Sequence, residues 1–132
     1  MEKFDELLRT FDLAYCGQGK HKISFEKMME LRKGNSVEII DIRTKEENLY
    51  VQFNFAKNIQ MHDIPDRINE ISRDKTVVLF CFSGTRASIV FAYLKTKGYD
   101  DVRILTIGIS EIAGYIKPGF VQQFSPYISK PL

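Results

Sequence analysis

Two β-branched apolar runs constrain the fold more than any other feature of this sequence. Residues 37–42 are Val-Glu-Ile-Ile-Asp-Ile, and residues 76–80 are Thr-Val-Val-Leu-Phe, so both runs are almost continuously apolar. A strand with one wet face alternates apolar and polar residues, whereas a strand covered on both faces is nearly unbroken in its apolar character. The two runs therefore predict buried strands of a parallel sheet.

Helices and weaker strands alternate with these two runs along the chain. Apolar residues at helical spacing predict helices over residues 3–15, after Ser24, over 64–71 and after Arg86, and further strands are predicted near 58–60 and 102–105. Such alternation favours right-handed crossovers and places functional sites beyond the carboxyl ends of strands. We therefore expect an α/β fold with a central, mainly parallel sheet and helices on both faces.

The length of the chain is that of one domain. Its 132 residues contain no repeat and no linker-like segment, and domains of this size are common. We expect a single domain over residues 1–132, with an N-terminal helical extension over 1–21, a core over 22–114 and a C-terminal tail over 115–132. The prolines of the tail predict an irregular segment.

Charge and composition exclude several classes of function. The 19 Lys and Arg residues against 17 Asp and Glu leave a net charge of +2 without a basic run, which argues against a nucleic-acid partner. No apolar stretch approaches the roughly 18 residues of a membrane span, and Met1 does not lead into a signal-peptide core. We expect a cytoplasmic protein without a membrane partner. Cys16 and Cys81 form no Cys-x-x-Cys pair, so neither a metal site nor a disulfide is expected.

The segment Cys81-Phe82-Ser83-Gly84-Thr85-Arg86 carries the strongest functional signal. It joins a buried strand to a helix, where unpaired backbone N–H groups and the helix dipole favour an anion. The thiolate is the nucleophilic form of cysteine. Gly84 allows the backbone to curl, and Arg86 adds positive charge where an anionic substrate would lie. A buried cysteine is more often a small apolar residue, but this loop favours a reactive Cys81.

This segment resembles the active-site loop of the rhodanese family of sulfurtransferases, which begins at the nucleophilic cysteine. The resemblance includes Ile23–Glu26, the Asp-Ile-Arg-Thr-Lys-Glu-Glu segment over 41–47 and Ala56–Ile59, and it covers about residues 22–114. It implies a three-layer α/β/α domain in which Cys81 is catalytic. The same resemblance implies that the substrate is bound by Phe82, Ser83, Gly84, Thr85 and Arg86.

Two segments depart from the family pattern. Many members have Gly-His-Ile-Pro-Gly where this chain has Val51-Gln52-Phe53-Asn54-Phe55, and a late Gly-Gly pair is here Ile107-Gly108. The core pattern is unchanged by either departure. We expect the two departures to affect substrate specificity.

Three charged residues lie near the end of the first buried strand. Asp41, Arg43 and Glu47 invite a catalytic assignment because of that position. Charged groups at such a place more often form a structural network of ion pairs and hydrogen bonds. We expect these three residues to hold the Cys81 loop in position through that network rather than to take part in the reaction.

The resemblance implies a sulfurtransferase that needs no cofactor and no metal. The Cys81 thiolate would attack the outer sulfur of a small anionic donor such as thiosulfate and carry that sulfur as a persulfide. A thiol, cyanide or a sulfur-acceptor protein would then take it. Covalent catalysis of this kind divides one transfer into two easier steps.

Two other functions stay open at this point. A cysteine-dependent phosphatase or arsenate reductase of the same architecture has one residue more between its cysteine and arginine, whereas four residues separate Cys81 from Arg86 here. A non-catalytic binding module with this fold would make Cys81 incidental. The intact set of Cys81, Gly84 and Arg86 disfavours that module.

Overall fold

The computed structural model describes residues 2–125, which form an all-parallel sheet with helices. The sheet has five strands in the order β1-β5-β4-β2-β3. The strands are β1 (Lys22–Ile23), β2 (Val37–Asp41), β3 (Lys57–Asn58), β4 (Thr76–Phe80) and β5 (Val102–Leu105). The helices are α1 (Glu2–Thr10), α2 (Leu13–Gln18), α3 (Phe25–Lys33), α4 (Lys45–Tyr50), α5 (Ile64–Arg67), α6 (Thr85–Thr96), α7 (Ile109–Tyr115) and α8 (Pro118–Phe124). The predicted α/β class with a parallel sheet is confirmed.

The central strand β4 is buried on both faces. Val77 and Leu79 belong to one core cluster, with side chains of α1, α5 and α6, and Val78 and Phe80 belong to a second cluster, with side chains of α3, α7 and α8. Successive side chains of a strand point to opposite faces of a sheet. The nearly unbroken apolar sequence of β4 therefore reflects two covered faces.

The N-terminal region corrects the predicted helix over 3–15. The structure has two helices there, because Asp12 adopts an extended backbone and its Oδ1 accepts a hydrogen bond from the N–H of Tyr15 at 2.9 Å. An aspartate side chain that bonds a nearby backbone N–H starts a new helix rather than continuing one. Gly19, with a φ of 63°, ends α2.

The tail also differs from its prediction. Residues 118–124 form α8 rather than an irregular segment, because a proline is well tolerated in the first turn of a helix. Phe120 lies against Phe25 of α3, with ring centroids 5.5 Å apart. The prediction for residues 126–132 falls outside the described residues. No helix within residues 2–125 is long and apolar enough to cross a membrane.

Candidate active site

The loop that begins at Cys81 lies beyond the carboxyl end of β4. Cys81 follows Phe80 directly and is only 2% exposed, and α6 begins four residues later at Thr85. Gly84 precedes the helix with a φ of 100°, a backbone conformation that residues with a Cβ rarely adopt. The glycine thus lets the chain turn from the sheet edge into the helix.

The sulfur of Cys81 is the acceptor of two backbone hydrogen bonds. The N–H of Gly84 donates to Sγ at 3.1 Å, and the N–H of Ala87 donates at 3.4 Å. Within the described chain, the N–H groups of Phe82, Ser83, Thr85 and Arg86 have no acceptor. The loop therefore surrounds Sγ with donors that suit negative charge on Sγ or on a sulfur bound to it. Ala87 lies one residue past the predicted loop, and its contact was not foreseen.

Arg86 is held by a carboxylate from a different element. Its Nη1 and Nη2 donate to Oε1 and Oε2 of Glu47 at 2.7 and 2.9 Å. This bidentate hydrogen bond, opposed by partial burial, lowers the pKa of Glu47 to about 2, and it raises the pKa of Arg86. The pair therefore stays ionised at neutral pH, and its charges cancel beside the loop.

Glu47 is itself fixed by the N-terminal turn of α4. Its Oε1 accepts from the N–H and Oγ1 of Thr44 at 3.1 and 3.0 Å, while Oγ1 of Thr44 accepts from the N–H of Glu47 at 3.2 Å. This reciprocal arrangement is a capping box. The carboxylate therefore reaches Arg86 from a helix start whose own hydrogen bonds hold it in place.

Asp41 and Arg43 form a separate, buried ion pair. Nη2 of Arg43 donates to Oδ2 of Asp41 at 2.7 Å and to the carbonyl of Val51 at 2.7 Å. Nδ2 of Asn58 donates to the carbonyls of Asp41 and Arg43, both at 2.9 Å. These bonds tie the start and the end of α4 to the sheet, so the pair positions the helix that carries Glu47.

Gly108 is a contributor to the site that sequence reasoning missed. A Cβ at this position would collide with the backbone carbonyl of Phe82, so the segment before α7 packs directly on the loop. The signal was present, because Gly108 is the one glycine kept where the family pattern has two. A glycine at a close approach of two backbones is required for space rather than for conformation.

The other loop residues differ in their exposure. Phe82 is 62% exposed, Ser83 and Thr85 are exposed, and Arg86 is partly buried by its ion pair. Phe55 is buried in the second core cluster. Among residues 2–125, no group of three or more His, Cys, Asp or Glu side chains is arranged to hold a metal ion.

Comparison with known families gives one match that spans most of the chain. The family model described as "Rhodanese-like domain" matches residues 24–114. This range includes β2, β4, the whole Cys81 loop and Gly108. The match therefore contains every part of the candidate site.

Relatives with curated names are similar over part of their length. A protein named "Sulfurtransferase" from Allochromatium vinosum is 41% identical over 71 residues, which are 54% of this chain and 66% of the relative. "Thiosulfate sulfurtransferase GlpE" from Pseudomonas putida is 27% identical over 81 residues, which are 61% of this chain and 74% of the relative. The first alignment spans just under two thirds of the curated relative.

A solved structure has the same fold. The "Rhodanese-like Domain Protein from Staphylococcus aureus" superposes with a TM-score of 0.61 and 28% sequence identity, covering 67% of this chain and 87% of that one. The layered arrangement of the described residues is therefore that of a solved rhodanese-like domain.

Proposed function

The chain belongs to the rhodanese-like family, and we propose that it is a sulfurtransferase in which Cys81 carries the transferred sulfur as a persulfide. The observation that carries this proposal is the pair of backbone N–H groups, from Gly84 and Ala87, that donate to Sγ of Cys81. Donors fixed in this way stabilise negative charge on sulfur without reorganising.

The reaction proceeds in two displacements at sulfur. The Cys81 thiolate attacks the outer sulfur of a sulfane donor such as thiosulfate. A new S–S bond forms to Sγ, the S–S bond of thiosulfate breaks, and sulfite leaves with the electron pair. A thiolate or cyanide then attacks the outer sulfur of the persulfide, and the thiolate of Cys81 leaves. No net oxidation occurs, because one neutral sulfur atom passes from donor to acceptor.

The loop stabilises the charged persulfide between the two steps. Its terminal sulfur carries the negative charge after the first displacement, and the N–H groups of Phe82, Ser83, Thr85 and Arg86 are the donors without an acceptor in the described chain. The helix N-terminus favours the same charge. Because Cys81 is almost fully buried, a persulfide on its sulfur would be shielded from bulk water.

A test compares turnover in matched cysteine variants. The assay supplies thiosulfate or benzenethiosulfonate as donor and cyanide as acceptor, and it measures thiocyanate. Cys81→Ser is expected to show none above background, because an alcohol is a poor nucleophile near neutral pH and holds no persulfide. Cys16→Ser, which changes an exposed cysteine on α2, is expected to match the wild type.

Two results would contradict the proposal. Wild-type turnover in Cys81→Ser would show that Cys81 is not the nucleophile. Hydrolysis of an aryl phosphate through Cys81, with no sulfur transfer from either donor, would favour the phosphatase alternative instead.

A further inference from the structure

We propose that this site takes monoanionic organic donors, R–SO2–S⁻ or R–S–S⁻, in preference to the dianion thiosulfate, and that Glu47 and Phe82 set this preference. The inference rests on the proposed function, since it requires Cys81 to accept sulfur. It concerns the part of the donor to which the transferred sulfur is bonded. The two displacements at sulfur would proceed with any such leaving group.

The first argument is the charge beside the loop. Arg86 is the only charged residue from Cys81 to Ser88, and Glu47 binds its guanidinium through two hydrogen bonds. With the Cys81 thiolate included, the three groups have a net charge of −1. Each further negative charge on a donor is repelled by that net charge, by roughly 1 kcal/mol for unit charges about 4 Å apart in water. A dianion is therefore at a disadvantage against a monoanion.

The second argument is the direction in which a donor must extend. Attack by Sγ is in line with the S–S bond that breaks, so the remainder of the donor points away from Sγ. Cys81 lies at the floor of the loop, 2% exposed, and the remainder of the donor therefore reaches the rim. The terminal sulfur of either donor type meets the same backbone N–H groups, and the two types differ only at the rim.

Two exposed aromatic side chains lie on the loop and on α4, the helix that contacts the loop through Glu47. Phe82, next to Cys81, is 62% exposed, and Tyr50, on α4, is 91% exposed. Tyr50 follows Glu47 by three residues on α4, which places it beside Glu47 on the helix face that meets Arg86. An aryl or alkyl group gains contact with these side chains, whereas the sulfonate of thiosulfate would lose hydration there.

The transfer balances for an organic donor as it does for thiosulfate. The Cys81 thiolate attacks the terminal sulfur of benzenethiosulfonate, the bond between the two sulfurs breaks, and benzenesulfinate leaves with the electron pair. Both sides carry two negative charges. For an organic persulfide, R–S–S⁻, the thiolate R–S⁻ is the leaving group and takes a proton from solvent.

Three donors allow the effect of donor charge and the effect of apolar contact on the reaction rate to be measured separately. Thiosulfate is the dianion, methanethiosulfonate is a monoanion with a small substituent, and benzenethiosulfonate is a monoanion with a ring. The kcat/KM of each donor with cyanide is divided by its rate constant with a free thiolate, which removes the difference in intrinsic reactivity. We expect the corrected value to rise from thiosulfate to methanethiosulfonate to benzenethiosulfonate, by roughly fivefold at each step.

Three variants test the residues behind the preference. Glu47→Gln keeps the capping-box geometry and removes the carboxylate charge, so the thiosulfate value should rise roughly fivefold relative to methanethiosulfonate. Phe82→Ser should lower benzenethiosulfonate relative to methanethiosulfonate by a similar factor. Leu13→Ala removes another exposed apolar side chain, 89% exposed on α2, and should change neither ratio.

The outcomes are distinct from those of the proposed function. No added sulfur on Cys81 with any of the three donors would overturn the sulfurtransferase proposal itself. Transfer with thiosulfate at a corrected rate equal to or above that of both thiosulfonates would leave the sulfurtransferase intact and overturn the donor preference. An unchanged thiosulfate ratio in Glu47→Gln, or an unchanged ring preference in Phe82→Ser, would overturn the role of that residue.

Discussion

Gly84→Ala tests whether the turn at the start of α6 serves both stability and catalysis. Gly84 has a φ of 100°, and no heavy atom lies within 4 Å of the position that a Cβ would occupy. The substitution therefore meets no steric obstacle, and its cost is that of the backbone conformation alone. Placing a residue with a Cβ in the left-handed region costs about 1–2 kcal/mol, less roughly 0.4–1 kcal/mol for the smaller entropy of the unfolded chain.

Gly19→Ala is the matched control. Gly19 has a φ of 63°, also with open space around a Cβ, but it ends α2, and its N–H donates to carbonyls of α2 rather than to Cys81. Each variant should lose about 1 kcal/mol of unfolding free energy in urea denaturation, or about 3–6 °C of melting temperature for a chain of this size.

Sulfur transfer separates the two glycines. The N–H of Gly84 donates to Sγ at 3.1 Å, and a shifted backbone moves that donor. Gly84→Ala should therefore lower kcat/KM by at least about tenfold, while Gly19→Ala leaves it unchanged. Wild-type transfer in a destabilised Gly84→Ala would refute the role of this N–H group. Wild-type stability in Gly84→Ala would refute the backbone argument.

Three further predictions concern the groups that surround the loop. Gly108→Ala has an ordinary φ but a Cβ that collides with the carbonyl of Phe82, so it should lower both unfolding free energy, by about 1–3 kcal/mol, and kcat/KM; a neutral result would contradict the close approach. Asp41→Asn leaves Arg43 buried without its carboxylate and should cost about 3–5 kcal/mol in denaturation, and a loss below about 1 kcal/mol would contradict the buried pair. The lowered pKa of Glu47 stabilises the fold above its ordinary value of 4.5, so the stability advantage of wild type over Glu47→Gln should fall as pH drops from 4.5 towards 2, and a constant difference would contradict the ion pair.

Sequence patterning predicts the centre of the sheet well. The strands β2 and β4 are covered on both faces, so most of their consecutive residues are apolar and the run can be recognised in the sequence. Strands β1 and β3 have two residues each; a strand near 58–60 was predicted and β3 overlaps it, whereas β1 was not predicted, because two residues are too few to form a recognisable pattern. Their pairing with β5 and β2 is a tertiary property. The break at Asp12 was missed because apolar spacing continues across it, while one side chain decides where the second helix starts.

In the candidate site, too, features formed by neighbouring residues could be predicted, whereas contacts between residues far apart in the chain could not. The loop from Cys81 to Arg86 is contiguous, so its position between strand and helix could be predicted from spacing alone. Arg86 was expected to face an anionic substrate, and its bond to Glu47, which lies 39 residues earlier, depends on how α4 packs. The contact of Gly108 with Phe82 likewise depends on where α7 begins. Partners distant in the chain leave no local pattern.

The most direct test of the central claim is the intact mass of the protein after incubation with a sulfane donor. The wild type is treated with thiosulfate or benzenethiosulfonate, freed of donor and measured before and after a reducing agent. The account predicts one added sulfur atom, removable by reduction and located on the peptide that contains Cys81. No added sulfur with either donor, or a sulfur found on Cys16 with Cys81 unmodified, would contradict it.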